Sequence, residues 1–257
     1  VDAAAILITV VAGVAMGAIN NVAGGAGIFA LWAFQYACGL PLAIANPSSR
    51  LGAIGVGLFA WIGFVRHGVR ADREAWRLAL FAIPGAFVGN LLALKANPLA
   101  FHGYLVVALV VLLVQQLRAR SERPQAPSWL GPLGCTLVGL HMGFAQIGTG
   151  FVATLVLLAT YHHDLLHVNV AKSVVVITSS VASFVGFVLA PYVLANQAPV
   201  IAWAPAACLA TGTATGSYLA SKWTIDKGAV AVRRAAMAIA VLALFHQLFE
   251  IWLLLAH

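Results

Sequence analysis

Residues 129–160 read WLGPLGCTLVGLHMGFAQIGTGFVATLVLLAT, and the fold turns on how this stretch meets a membrane. It is apolar nearly throughout, but Gly148, Thr149 and Gly150 interrupt it near the middle with residues that weaken a helix. Arg118, Arg120 and Arg123 precede it, and a polar loop from His162 to His167 follows. At about 1.5 Å per residue it reaches roughly 48 Å, whereas two crossings of the hydrocarbon layer need roughly 60 Å. If both flanking loops lie on one side, a re-entrant helical hairpin is the simplest solution.

Outside this stretch, apolar runs recur along the whole chain. With it they make eight segments, at 3–37, 41–65, 76–94, 99–117, 129–160, 166–190, 200–220 and 229–255. Hydrophobic residues make up 62% of the chain and charged residues only 8%, against about 25% charged in a soluble domain. Too little polar surface exists to cover a water-soluble fold, so the chain reads as an all-α polytopic membrane protein in a lipid bilayer. The net charge of +7 follows the positive-inside rule and implies no nucleic-acid partner. Cys38, Cys135 and Cys208 have neither disulfide nor metal spacing and read as packing residues.

The charges set the topology. Arg66, Arg70, Arg73 and Arg77 lie between segments two and three. Arg118, Arg120 and Arg123 lie between four and five, and Lys222, Lys227, Arg233 and Arg234 between seven and eight. Placing these loops in the cytoplasm puts the His162–His167 loop there too, which makes segment five a hairpin. The same reasoning makes segment one, interrupted by Asn20, Asn21, Gly24, Gly25 and Gly27, a hairpin opening outside. Both termini then lie outside a bacterial cytoplasmic (inner) membrane.

Each half, 1–125 and 126–257, is then a re-entrant hairpin plus three transmembrane helices, and the two halves form inverted repeats. Internal matches agree. Met16-Gly17 recurs as Met142-Gly143, Gly85 and Gly89 as Gly212 and Gly216, and Lys95 as Lys222, all at nearly one offset. Arg50 is matched by Lys172 at a slightly smaller one. Inverted repeats of this kind are a transporter architecture with the site near the midplane.

Arg50 and Lys172 fall about 13 and 12 Å into their segments, where an unpaired cation is costly. Glu250 is the one acid inside an apolar segment. Two intramembrane cations with so little countercharge point to a bound anion; the alternative is that both segments start later and the side chains snorkel to the interface. Helices restarting after Gly25 and Gly148 would offer free N–H groups and a positive dipole end. Asn20, Asn21, Gln146 and Thr149 would add side-chain donors. Gly85, Gly89, Gly212 and Gly216 read instead as packing glycines.

His162, His163 and His167 read as solvated loop residues rather than metal ligands, so no metal and no cofactor is expected. His141 is either a proton relay or a hydrogen-bonded packing residue. The hydroxyls Thr178, Ser179, Ser180 and Ser183, with Thr211, Thr213, Thr215 and Ser217, either line a polar path or bond back to their own helices.

The sequence also resembles the sulfite exporter TauE/SafE-type transporters. The resemblance covers essentially the whole chain. It rests on Gly24-Gly25-Ala26-Gly27 followed by Ala45-Asn46-Pro47-Ser48-Ser49-Arg50, and on Val168-Asn169-Val170-Ala171-Lys172-Ser173 in the second half. Val168 stands where the family pattern has Ala, and hairpin five has Gly-Thr-Gly where a longer glycine run is common. The resemblance implies eight membrane segments and export or uptake of sulfite, sulfonates or related organosulfur anions; at such a site Arg50 and Lys172 would attract the charge, and Asn46, Asn169 and the two tips would orient the oxygens.

The expected function is therefore secondary transport of a small sulfur oxyanion by alternating access, with a proton or sodium ion as the candidate coupling partner. The oligomeric state is not set by the sequence. A passive anion channel could use the same residues. A membrane-embedded enzyme is disfavoured because no Ser/His/Asp, His-cluster or paired-carboxylate arrangement lies in the apolar segments. An assembly scaffold would not need the buried cations.

Overall fold

The computed structural model describes residues 2–22, 25–117, 126–194, 200–226 and 230–256, and among them all regular structure is helical. The order is α1 (Ala3–Val22), α2 (Ile28–Trp32) continued by a π-helical turn (Ala33–Ala37), α3 (Leu42–Arg66), α4 (Arg73–Leu80) and α5 (Ala82–Lys95). Then follow α6 (Pro98–Leu117), α7 (Leu130–Phe144), α8 (Thr149–Thr160), α9 (Leu165–Val193), α10 (Trp203–Asp226) and α11 (Val230–Ala256). Four stretches, Ala3–Asn20, Leu42–Arg66, Arg73–Lys95 and Leu166–Val193, are long and apolar enough to cross a membrane.

Residue size is distributed in the opposite sense to a water-soluble bundle. Leu7, Val107, Leu137, Leu189, Leu242 and Phe245 are exposed, whereas Ser48, Ser179, Ser180, Thr213 and Ser217 are fully buried. Small and polar residues inside with large apolar ones outside is how helices pack when the solvent is lipid. The chain is an integral membrane protein.

Segment five is a hairpin. Ala126 N–H donates to Ala159 O at 2.9 Å, so its two ends meet. Its arms, α7 and α8, have 15 and 12 residues, each too short to cross alone. Segment one is less even: α1 has 20 residues and the return arm Ile28–Ala37 is about half as long. Segment three, read as one span, breaks at Phe81 into α4 and α5. Pro84 explains the break, because it offers no N–H to the Leu80 carbonyl four residues earlier.

Glycine decides which helices touch. A Cβ on Gly85 or Gly89 would strike the carbonyls of Thr136 and Leu140, and one on Gly139 or Gly143 those of Ala82 and Ala86, so α5 and α7 meet backbone to backbone. A Cβ on Gly212 or Gly216 would strike Val10 and Val14, and one on Gly13 or Gly17 would strike Leu209 and Thr213, which joins α10 to α1 in the same way. These are close-approach glycines, each pair spaced Gly-x-x-x-Gly. The hairpin of each half thus packs on the third segment of the other half, through matching residues. Between these crossings α3 and α9 pass each other at Gly57, whose Cβ would come 3.2 Å from Ser173 O.

At one end of the bundle α3 meets α10, and the turn before α4 meets the turn before α9. Arg66 Nη1 donates to Tyr218 Oη at 2.8 Å, and His163 Nε2 lies 3.4 Å from Asp72 Oδ2. At the other end Ala202 N–H donates to Ser48 Oγ at 2.8 Å, and Tyr36 reaches Glu250.

Candidate functional site

The two hairpin tips converge. A Cβ on Gly27 would lie 3.2 Å from Ile147 Cα, placing tip one against tip two. Beside them a small cavity is lined by α3, α9, Asn20 of α1 and tip two. Asn20, Gln146, Thr149, Gly150, Lys172 and Ser173 are its polar contributors and neighbours.

Tip two owes its shape to two left-handed residues, Gly148 at φ 86° and Gln146 at φ 64°. Glycine takes that conformation freely; for glutamine it costs about 1–3 kcal/mol. What holds Gln146 there is its own side chain. Its Oε1 accepts from Arg50 Nη1 at 2.7 Å and from Ser49 Oγ, while its Nε2, buried on this cavity-lining residue, has no partner among the described residues. An unpaired buried amide is expensive unless a ligand or water completes it.

Arg50 is the ninth residue of α3 and is fully buried, and Lys172 on α9 is 4% exposed. Neither snorkels. Arg50 spends all five of its N–H groups on protein. Nε donates to Ser183 Oγ (3.0 Å). Nη1 meets Gln146 Oε1, Asn46 O (3.2 Å) and Ser49 Oγ (3.2 Å). Nη2 meets Asn46 Oδ1 (3.0 Å) and Gly143 O (3.1 Å). Its guanidinium also sits 5.4 Å from the Phe187 ring centre.

Asn46 Nδ2 adds a bond to Phe144 O at 3.0 Å. Gly143 and Phe144 carry carbonyls that the end of α7 leaves unsatisfied, and there the helix dipole is negative. Arg50 and Asn46 therefore cap α7 and fasten tip two to α3. Ser183 passes the grip on, donating to Asn90 Oδ1 at 2.7 Å, while Asn90 Nδ2 returns to Ser183 O at 2.7 Å.

Lys172 faces the cavity, and its Nζ donates to Asn169 Oδ1 at 3.1 Å. Helix α8 begins at Thr149, directly after Gly148, so its N-terminus opens on the same cavity through Thr149 and Gly150. Thr149 Oγ1 turns back to Gln146 O (2.7 Å), and Asn20 Oδ1 accepts from Ala26 N (3.3 Å). In tip one the helix restarts at Ile28, three residues after Gly25 rather than directly after it, and Gly25 stands at φ 101°. Gly24 and the side chain of Asn21 lie outside the described residues.

His141 is hydrogen-bonded on both nitrogens. Nε2 faces Ile147 O at 2.8 Å, and a carbonyl only accepts, so Nε2 carries the proton and Nδ1 receives the Tyr104 hydroxyl. That pins the turn of tip two. The hydroxyls of Ser179, Thr211, Thr213 and Thr215 bond back to their own helices rather than lining a path.

The structure brings Asn20, Gln146, Thr149 and Lys172 together around one space, while Asn46, Arg50, Gly148 and Asn169 stand behind it. The sequence reading missed Asn90 and Tyr104, and it named Ser49 and Ser183 without their bonds to Arg50. An asparagine inside the apolar run of α5 was the signal for Asn90.

Residues 9–246 match the family described as Sulfite exporter TauE/SafE. The chain belongs to that family. This TauE/SafE chain is accordingly a membrane transport protein and not an enzyme. It is also 27% identical over 222 residues to a "Probable membrane transporter protein" of Haemophilus influenzae, covering 84% of this chain and 83% of the relative. No solved structure matches it.

Proposed function

We propose that the protein is a secondary transporter that moves a small sulfur oxyanion, sulfite or a short sulfonate, across the cytoplasmic membrane by alternating access. The observation that carries this reading is the cavity in which the Lys172 ammonium, the unpaired Gln146 Nε2 and the start of α8 converge. All three are donors or positive ends, and among the described residues the lining includes no acid. Such a set suits a tetrahedral or pyramidal oxyanion, which accepts several hydrogen bonds at once. The family description, sulfite exporter, supports the sulfur assignment.

In this reading 1–125 and 126–257 are inverted repeats with both termini outside. The paired glycine crossings support it, since each hairpin packs on the other half through equivalent positions. Alternating access would move the hairpin tips against the α3 and α9 pair. Proteoliposomes containing the purified chain, offered sulfite, sulfoacetate, taurine, sulfate and acetate in turn, test the reading. Saturable uptake of a sulfur oxyanion is expected; carriage of acetate alone would overturn it. Non-saturating conductance would instead make the protein a channel.

A further inference from the structure

Glu250 is the one acid that falls inside an apolar segment, and it does not face the cavity. It lies near the end of α11, one turn after His246, whose Nε2 is 3.5 Å from Glu250 Oε1. Tyr36, in the π-helical turn that ends the short arm of hairpin one, joins them. Its hydroxyl donates to Glu250 Oε1 at 2.7 Å and touches His246 Nε2. On the far side of the imidazole, Gln247 Nε2 lies 3.1 Å from His246 Nδ1, and Gln247 Oε1 lies 2.6 Å from His102 Nδ1 of α6.

The roles follow from the chemistry of the groups. An amide oxygen only accepts, so His102 Nδ1 carries its proton. An amide nitrogen only donates, so His246 Nδ1 accepts and its proton sits on Nε2, facing Tyr36 and Glu250. Every hydrogen in the chain then points toward the Glu250 carboxylate. Because His246 Nδ1 is already filled by an amide donor, an incoming proton goes to Glu250. The other neighbours add little charge: helix α1 carries no titratable side chain, and the remaining titratable group of α6, Tyr104, is bonded to His141. Trp32 stands edge-on to His246 with ring centres 5.6 Å apart, and its buried Nε1 has no partner among the described residues.

We propose that Tyr36, His246 and Glu250 form a proton-binding site that controls the short arm of hairpin one. Ionised Glu250 takes the Tyr36 hydroxyl in a charge-assisted bond and fixes the arm; protonation weakens that bond and removes an isolated negative charge from an apolar segment. The arm runs from Tyr36 to Gly27, which lies against Ile147, the neighbour of Gln146 in the cavity wall. Proton binding at one end of the arm thereby reaches the tip beside the cavity. One carboxylate and one phenol oxygen are too few for a hard metal cation, which gathers six or more oxygens. The link to transport rests on the function proposed above; the proton site does not.

Two measurements on the full chain in liposomes separate them. The first is the emission difference between the protein and its Trp32→Phe variant, which isolates Trp32. It should change at least about two-fold on acidification, and Glu250→Gln should remove that transition. A signal flat with pH, or a transition unchanged in Glu250→Gln, overturns the site. A cluster that only braces the fold would lower the unfolding temperature of the variant and leave the Trp32 signal flat. The second is tracer sulfite flux. A proton gradient should accelerate net flux several-fold in the protein, while Glu250→Gln should exchange sulfite equally with and without it. A sodium gradient that replaces the proton gradient overturns the coupling. Absence of sulfite flux beside a titrating Trp32 refutes the substrate assignment and leaves the proton site standing.

Discussion

Arg50 and Lys172 occupy matching places in the two halves of the chain, each about two turns into a long central helix, yet they are used differently. The guanidinium is consumed by the protein: five N–H groups, neutral acceptors, and the carbonyl end of α7. The ammonium reaches a cavity and donates to Asn169 in the neighbouring turn of its own helix. A planar, always-charged fork suits a fixed set of acceptors, whereas a compact ammonium on a flexible stem suits a ligand that comes and goes. One cation is thus a latch that fastens tip two to α3, and the other faces a cavity where, in the function proposed above, an anion binds.

The sharpest way to break this contrast is Arg50→Gln. It strands the carbonyl and amide acceptors of tip two, and a loss of roughly 1–3 kcal/mol for each acceptor left without a donor is expected, read from thermal unfolding in detergent. Arg50→Lys should recover little, because three donors cannot replace the fork. Wild-type stability in Arg50→Gln would remove the latch.

Lys172→Gln should do the reverse. The chain should fold with undiminished stability while sulfite affinity falls about 10- to 100-fold, or roughly 1.5–3 kcal/mol, in a binding titration. Lys172→Arg should weaken binding less. If Lys172→Gln unfolds the protein and binding survives in the folded remainder, both cations are structural.

The two glycine crossings extend the comparison to the whole halves. Gly85→Ala and Gly212→Ala should each cost roughly 1–3 kcal/mol, because the added methyl meets backbone rather than a movable side chain. Equal losses are expected in unfolding experiments. A large loss in one and none in the other would mean that the crossings are not equivalent.

The smallest effect concerns the entry to α9. Asp164 caps this helix, and its carboxyl is held below the usual carboxylate range by the backbone N–H of His167 first and by the His167 ring second. Its folded value is depressed, so the cap contributes above the ordinary carboxylate range and is lost as pH falls through the folded value. Amide exchange at His167 and Val168 should speed up in acid, and Asp164→Ala should show the faster exchange already at neutral pH. An unchanged rate in that variant would show that the first turn of α9 is held by packing alone.

What the sequence determined by itself were quantities that follow from short stretches of chain. The length of 129–160 against a bilayer, the basic loops and the depth of Arg50 and Lys172 are all one-dimensional. They were enough for the hairpin, the buried cations and four of the polar residues around the cavity. Only the tertiary structure decided that α1 packs on α10 and α7 on α5, because close approach depends on which glycine faces meet across the fold. It also decided which cation faces the cavity. The acceptors that consume Arg50 come from Gly143 and Gln146 on one side and Ser183 on the other, residues far away in the chain. Gln146 shows the reason most plainly: nothing local favours its left-handed backbone, and a side-chain grip from α3 holds it there.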